Sequence, residues 1–600
     1  MRLRVHTRGL LKNTCVAVLS LVALGCCLVP IGCATSPTAS TISTPPNPAG
    51  SLTLAAFSDP VAAGSPGFTA TANGTGFTPA TTVFWNGQAL ATTYQTSGLL
   101  YVNVPSSAVA IPGTATLVAK NSTGNTSNSL TVAILSPAAA NAKVVRLISS
   151  GVDGSPANAD SLVAPSISAT GRFVVFQSAA TNLVAQTIVA PWENLYLTDT
   201  CIGAPQPCNP ATQLISISAN GTTGGNQNSR VSTVSVDGRY VAFDSGATNL
   251  VANVPSYCNS ISNCVYIRDT CIGAIIACQP QTSIASILPG EVSYGGANPV
   301  LSSSGRYLTF DSNGPPSNLP QTYLRDFCIG TSAGCVPHTI PISVNGIGAY
   351  GNEVSKPQSL SSDGRYVGFV SYATNLIDPA QPATQSTAML FVRDTCTGGS
   401  ASCISQLARV DIPNGGGSAN NQLDYEEIPS LSGDGRYIAY SSNATNLVQE
   451  DVGGFGNVYI RDTCGAATAC TVQNVLASVG NDGAIGNSGS HQQSMSSDGR
   501  FVAFTSIATN LVWGLPYVAG SWQDIYVRDT CTGAPAGCHP STVRVAVTNA
   551  PYIQTPSNMG ASWPIISADG HYVAFISSSS NLTFAGSGGH QQVFLAQTGF

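Results

Sequence analysis

The sequence predicts an all-β protein, a seven-bladed β-propeller over residues 143–600 preceded by a small β-sandwich over 51–135. Three observations predict it. A segment of the type Ser-x-Asp-Gly-Arg-Tyr-Val-Ala-Phe returns seven times, most often trailed by Ala-Thr-Asn-Leu-Val, and such fixed-length self-similarity marks a repeat architecture. Its basic position falls at Arg172, Arg239, Arg306, Arg365, Arg436, Arg500 and His571, 59 to 71 residues apart, about one supersecondary unit each. Within each unit apolar residues alternate as half-buried strands require, and turn residues separate the runs. The composition agrees: hydrophobic residues make up 43% and charged residues only 8%, which suits a large core under a polar but weakly ionic surface. A formal charge of -6 over 600 residues leaves no basic footprint, so nucleic acid is excluded as an expected partner.

Residues 1–33 read as an export signal. Arg2, Arg4, Arg8 and Lys12 precede an apolar run from Cys15 to Ile31, the charged-then-apolar layout of a secretory segment. An uncleaved membrane anchor is the competing reading, since the run is near the short end of a membrane span. Cys33 follows Gly32 and precedes a Ser/Thr/Pro-rich stretch over 34–50, an arrangement similar to a lipoprotein processing site, with Cys26 as a rival. The low-complexity stretch would act as a flexible tether.

Residues 51–135 contain short alternating runs such as FTATANGTGF, TTVFWNGQAL, LLYVNVP and GTATLVAKN, separated by Gly, Pro and Asn turns. Asn86-Gly87 suits a tight hairpin, because both residues tolerate positive φ. Gly74-x-Gly76-Phe77-x-Pro79, Val83-Phe84-Trp85-Asn86-Gly87 and Val104-Pro105 together resemble an IPT/TIG domain. That resemblance implies an immunoglobulin-like sandwich acting as a spacer or binding module, with Trp85 in its core.

A Pro/Ala-rich joint over 136–142 leads into the repeats. The second repeat reads as four strands: Val231 to Val236, Tyr240 to Asp244, Val265 to Arg268, and one around Ser283 to Leu288. Four antiparallel strands repeated seven times is a propeller layout. The last repeat stops one strand short, and Val144 to Ser149 resembles the missing one, so the N-terminal strand is expected to complete the seventh blade and leave no open edge. The repeat, best seen at Ser362 to Phe369 and Ser497 to Phe504, is similar to the TolB-like propeller repeat. TolB has six blades and an α/β domain, so the resemblance implies the fold rather than the role.

Of 18 cysteines, 14 lie beyond the signal, all in close pairs. They are Cys201 with Cys208, Cys258 with Cys264, Cys271 with Cys278, Cys328 with Cys335, Cys396 with Cys403, Cys464 with Cys470, and Cys531 with Cys538. Zinc sites favour tighter knuckles converging in fours, so disulfides stapling each loop are expected, and these persist only in an oxidising compartment.

Motifs with catalytic overtones have structural explanations. The Arg-Asp pairs at 268/269, 325/326, 393/394, 461/462 and 528/529 invite an active-site reading, but a device repeated in five blades is structural. Gly330 to Gly334 matches a nucleophile-elbow pattern inside a staple loop, and Gly346 to Gly351 matches a dinucleotide pattern without a following helix. Acidic loops able to hold calcium are represented only by Asp378 and Glu450-Asp451. The sequence therefore points to an exported cell-envelope binding scaffold for a protein or glycan partner, monomeric, without cofactor, metal or catalytic residues. Its only membrane attachment would be an N-terminal lipid or uncleaved anchor. The alternative is an extracytoplasmic hydrolase or lyase acting on carbohydrate or peptide, which requires carboxylates or histidines to converge at a channel mouth. Glu291, Glu353, Asp424, Glu426, Glu427, Asp524 and the histidines are the residues to place.

Overall fold

In the computed structural model each repeat becomes one four-stranded antiparallel sheet in sequential order. The structure describes residues 52–600 apart from several short segments, the longest being 136–143, 378–386, 513–522 and 548–556. The signal with Cys33, the tether and the 136–142 joint lie outside the described residues. The blades span 166–214, 229–284, 297–341, 355–409, 430–476, 490–544 and 562–597, and are numbered 1 to 7 in that order. In blade 2 the strands are Ser229–Val234, Tyr240–Ser245, Cys264–Asp269 and Gln281–Ile284. The second strands alternate faces, so Val241 and Phe243 enter the core shared with blade 1 while Ala242 enters the one shared with blade 3. Seven such inter-blade cores run round the described structure, and the one between blades 7 and 1 joins Ile576, Val593 and Leu595 to Val174, Phe176 and Tyr196. The sheets therefore form a closed ring, a β-propeller. First strands neighbour first strands around it and line its centre.

Closure of blade 7 is covalently non-sequential. Val145–Leu147 pairs antiparallel with Gln592–Gln597, Val145 opposite Ala596 and Leu147 opposite Phe594. Ser149 Oγ donates to Gln592 Oε1 at 2.6 Å, burying a polar contact between chain segments 443 residues apart.

The repeat motif works as a latch between blades. In blade 2, Asp237 Oδ1 accepts from Ser235 Oγ at 2.6 Å and from the Arg239 N–H at 3.0 Å, closing the turn, and Gly238 takes φ 76°. Glycine has a second reason to be there: a Cβ on Gly238 would lie 2.3 Å from Phe173 of blade 1. The same contact recurs around the ring, ending with Gly171 of blade 1 against Tyr572 of blade 7. Each aromatic so used in blades 1 to 6 also lies under the preceding arginine, as Tyr240 lies 5.0 Å from the Arg239 guanidinium.

That arginine forms the ion pair. Arg239 Nε and Nη2 donate to the two oxygens of Asp269 at 3.0 and 2.9 Å, and the same fork joins Arg172 to Asp199, Arg306 to Asp326, Arg365 to Asp394, Arg436 to Asp462 and Arg500 to Asp529. Burial alone would raise the Asp269 carboxyl, but the Arg239 fork and the Cys271 N–H hold it below its ordinary value. The adjacent Arg268 cannot share in this, because neighbours on a strand point to opposite faces. Its counterparts instead brace the interior: Arg393 Nε donates to Ile342 O at 3.1 Å and Arg461 Nη1 to Ile412 O at 2.9 Å.

The same aspartate positions the staple. Asp269 Oδ1 accepts the Cys271 N–H at 2.8 Å, and Cys271 adopts φ 62°, turning the chain into a loop closed by Cys271–Cys278. Equivalent disulfides join Cys201–Cys208, Cys328–Cys335, Cys396–Cys403, Cys464–Cys470 and Cys531–Cys538, and a seventh joins Cys258–Cys264 at the start of a third strand. Closing a loop of this length stabilises by about 2.5 kcal/mol on the chain-entropy model. Replacing Cys396 and Cys403 together by Ala is expected to cost about 2 to 3 kcal/mol, read as a lowered urea midpoint, with the fold retained.

The Thr-Asn-Leu tails tie the opposite end of blades 1, 2, 4, 5 and 6. Asn226 accepts the Thr248 N–H at 2.8 Å and donates to Thr248 Oγ1 at 2.9 Å, while Asn249 Nδ2 donates to Gly224 O at 3.0 Å. Leu250 is buried beneath.

Residues 52–135 form two sheets around one core. Thr53–Phe57, Phe68–Thr75, Leu99–Val104 and Ala91–Thr96 make one, and Val61–Ala62, Leu130–Leu135, Gly113–Lys120, Thr82–Trp85 and Gln88–Ala89 the other. Trp85 is a core residue, edge-on to Phe57 with ring centroids 5.8 Å apart. Asn86 and Gly87 turn the hairpin at φ 49° and 83°. Among the described residues no helix is long and apolar enough to cross a membrane.

Candidate functional site on the inner wall

A site must lie where the blades differ, because whatever they share is spent on the fold. All seven second strands end in serine, and in every blade but the third it caps the following turn, as Ser245 Oγ accepts the Ala247 N–H at 3.0 Å. The residue before that serine varies: Gln177, Asp244, Asp311, Val370, Ser441, Thr505 and Ile576 in blades 1 to 7. In blades 1 to 3 it is polar and buried, Gln177, Asp244 and Asp311 being 3%, 5% and 6% exposed.

These groups are incompletely satisfied. Both polar atoms of Gln177, Asp244 Oδ1 and Ser441 Oγ are buried and have no hydrogen-bond partner among the described atoms. Each such group costs about 1–3 kcal/mol if it stays unmet. Asp311 Oδ1 accepts from Asn298 Nδ2 at 2.8 Å. Burial pushes the Asp244 carboxyl up to about 7; Asn263 and Arg230 pull against this and Asp311 adds to it. Burial likewise lifts Asp311 to about 6 against the pull of Asn298 and Lys356. The two carboxyls on neighbouring blades thus feel each other.

The innermost strands complete the wall. Arg230 stands opposite Asp244 in register and reaches Glu193 Oε2 at 3.4 Å, and Lys356 stands at the matching position of blade 4. A β-bulge follows this position in blades 2, 3, 4, 6 and 7. In three of them the bulged residue is left-handed: Asn298 at φ 52°, Gln492 at 51° and Trp563 at 55°. Bulges re-aim side chains, and here they do so on the strands that line the centre. Neighbouring inner strands are tied by side chains, with Gln492 Oε1 accepting the Trp563 N–H at 2.9 Å and Ser494 Oγ the Ile566 N–H at 2.9 Å.

Of the described residues singled out from sequence, His491 alone stands on an inner strand, opposite Thr505 in blade 6; the others do not join this site. Asp524 opens the third strand of blade 6 and is buried, accepting from Arg544 Nη2 and Ser557 Oγ. Glu353 is exposed in the loop before blade 4. Glu291, Asp424, Glu426, Glu427 and Asp378 lie outside the described residues, as does Ser332 of the elbow-like pattern. Among the histidines, His571 Nδ1 meets Phe600 O, His338 Nδ1 meets Val336 O, and His590 lies 3.3 Å from Asp160 on the closing blade. Gly346 to Gly351 forms a loop clipped by a Val344–Tyr350 bridge. Each staple aspartate lies within 4.8 Å of two cysteine sulfurs, as Asp199 does of Cys201 and Cys208, but sulfurs bonded to one another offer no thiolate to a metal. A cavity of about 240 Å³ between blades 3 and 4 is lined by Arg306, Asp326 and His338, where the arginine is already committed to the aspartate.

Asp244 and Asp311 were open to detection in the sequence. Two of the seven copies read Phe-Asp-Ser, and only those place a carboxylate in an otherwise buried strand.

No protein-family model and no curated protein matches the sequence. Among solved structures, the chain is similar to the β-propeller domain of the trilobed protease from Pyrococcus furiosus, at 9% identity and TM-score 0.38, covering 73% of this chain and 95% of that one. It is similar to hydrazine synthase of Kuenenia stuttgartiensis at 12% identity and TM-score 0.35, covering 73% and 96%. A third likeness is to an auxiliary nutrient binding protein from Bacteroides thetaiotaomicron, at 12% identity and TM-score 0.29, covering 76% and 96%. Likenesses this distant do not bear on activity.

Proposed function

We propose that this chain is an exported cell-envelope β-propeller that acts as a binding scaffold, taking a protein or glycan partner at the inner wall of the ring. The observation that carries the reading is the set of buried, unmet polar atoms at a variable position of the repeat, Gln177 and Asp244. A scaffold evolved only to be stable gains nothing from them, whereas a partner's polar groups recover the lost hydrogen bonds. Export is supported by the disulfides, which need an oxidising compartment, and by the layout of residues 1–33 with Cys33 as the acylated residue. The repeats are those of a TolB-like propeller, and the sandwich, an IPT/TIG-type immunoglobulin-like module, is a spacer.

Placing a photo-crosslinking residue at Lys356 of the full chain in its native envelope tests this. A discrete adduct that is lost in the Asp244→Asn/Asp311→Asn double variant is expected. An adduct pattern unchanged by the double variant, or none, overturns the inner wall as the site. A second reading, a hydrolase or lyase, draws on the same two carboxyls, since burial keeps them protonated into the range of a general acid. Turnover of an oligosaccharide or peptide probe that disappears in either single Asn variant would establish it.

A further inference from the structure

Trp563 stands on the inner wall in a strained backbone conformation. It stands at φ 55°, a backbone region that a bulky side chain occupies only under constraint, and the equivalent bulges of blades 3 and 6 use Asn298 and Gln492. Asparagine fits there because its short side chain tolerates left-handed backbone; an indole has no such reason. Trp563 packs against the core between blades 7 and 1 only in part and remains half-buried on an innermost strand. Strain kept by a residue that the core takes in only in part is a mark of function.

Its surroundings define the ligand. At matching register positions of the inner strands stand Asn298, whose amide donates to the buried Asp311, Gln492, whose oxygen holds the Trp563 N–H, and the Lys356 and Arg230 cations. A flat apolar face set among amides and fixed charges matches a pyranose, which presents one C–H face for stacking and a rim of paired hydroxyls for hydrogen bonds. We infer that the inner wall is a carbohydrate site in which Trp563 is the stacking platform and polar side chains at the matching positions of the inner strands, Lys356 first among them, read the hydroxyls. This rests on the inner wall being the binding surface and narrows its partner to a glycan.

Trp563→Asn separates the roles, because it removes the ring and relieves the backbone in one step. The full exported chain would be titrated by calorimetry with laminarin, xylan and chito-oligosaccharides, alongside the variant and Trp563→Phe. The expected result is saturable binding of at least one of these, weakened tenfold or more in Trp563→Asn and within about threefold in Trp563→Phe, with a melting temperature in Trp563→Asn equal to or above that of the parent. Binding of none of the three, or binding unaffected in a well-folded Trp563→Asn, overturns the inference. The outcomes are distinct from failure of the scaffold reading: a proteinaceous Lys356 crosslink that depends on Asp244 and Asp311, without glycan binding, would leave the inner wall as the site and remove the carbohydrate.

Discussion

Asp244→Asn is expected to raise stability at pH 8 by about 2 to 4 kcal/mol and to flatten its pH dependence. The sign follows from where the proton sits. Folding moves the Asp244 carboxyl from its ordinary 3.8 to about 7, chiefly through burial. Below pH 4 both folded and unfolded chains hold the proton, and the group contributes no difference. Between pH 4 and 7 the unfolded chain releases it while the folded chain keeps it, so stability falls steadily as pH rises; above 7 the loss is complete, with a ceiling of about 4 kcal/mol. Asp311, lifted to about 6, adds a smaller loss in the same direction over pH 4 to 6. Urea midpoints measured at pH 4.5 and 8 check both claims. The parent should be more stable at the lower pH and the Asn variant nearly level. A parent equally stable at both, or an Asn variant destabilised at pH 8, would show that Asp244 is paired and charged. An inner wall that sacrifices this much stability for two carboxyls is consistent with their use in recognition.

The second large effect concerns the latch. Gly238→Ala should cost about 2 to 5 kcal/mol, the sum of left-handed backbone for a residue with a Cβ and overpacking against a neighbouring blade. The new Cβ would fall 2.3 Å from Phe173, whose ring is buried and cannot retreat. Gly273→Ala is the control. Gly273 has a similar φ of 69° in a staple loop, but nothing lies within 4 Å of its Cβ position, so only the backbone cost of about 1–2 kcal/mol is expected. If both variants lose equal stability, the glycines of the motif serve the turn alone and the blades are not held through them.

Much of the fold was legible because its causes are local. Alternation in Tyr240 to Ser245, the Asp237-Gly238 turn and the spacing of Cys271 and Cys278 each act within a few residues, and the motif's recurrence supplied the repeat. Strand limits shifted by one to four residues; the first strand of blade 2 runs Ser229–Val234 rather than from Val231, because Ser229 is held to Ser245 across the pair. Even the closing strand could be inferred, since Val145 to Leu147 carries the pattern that blade 7 lacks. The site was much less legible. Acids outside the repeated motif, such as Asp524 and Glu353, stand out in the sequence, whereas the buried carboxyls Asp244 and Asp311 sit inside the repeated strand itself.

The sequence by itself determined the strands, the turns, the staples and the seven-fold repetition, because each depends on residue types at short spacing. Only the tertiary structure decided which charges meet. Arg268 and Asp269 are adjacent in the chain yet face opposite sides of the sheet, and Asp269 pairs with Arg239, 30 residues earlier, because the second and third strands bring their ends together. It also decided that the motif glycine answers to an aromatic in the preceding blade, and that Asp244 and Asp311 lie in the seams between blades. What surrounds a side chain in a propeller is supplied by the next repeat as much as by its own, so burial, ion pairing and the protonation of a carboxyl appear only when the ring is closed.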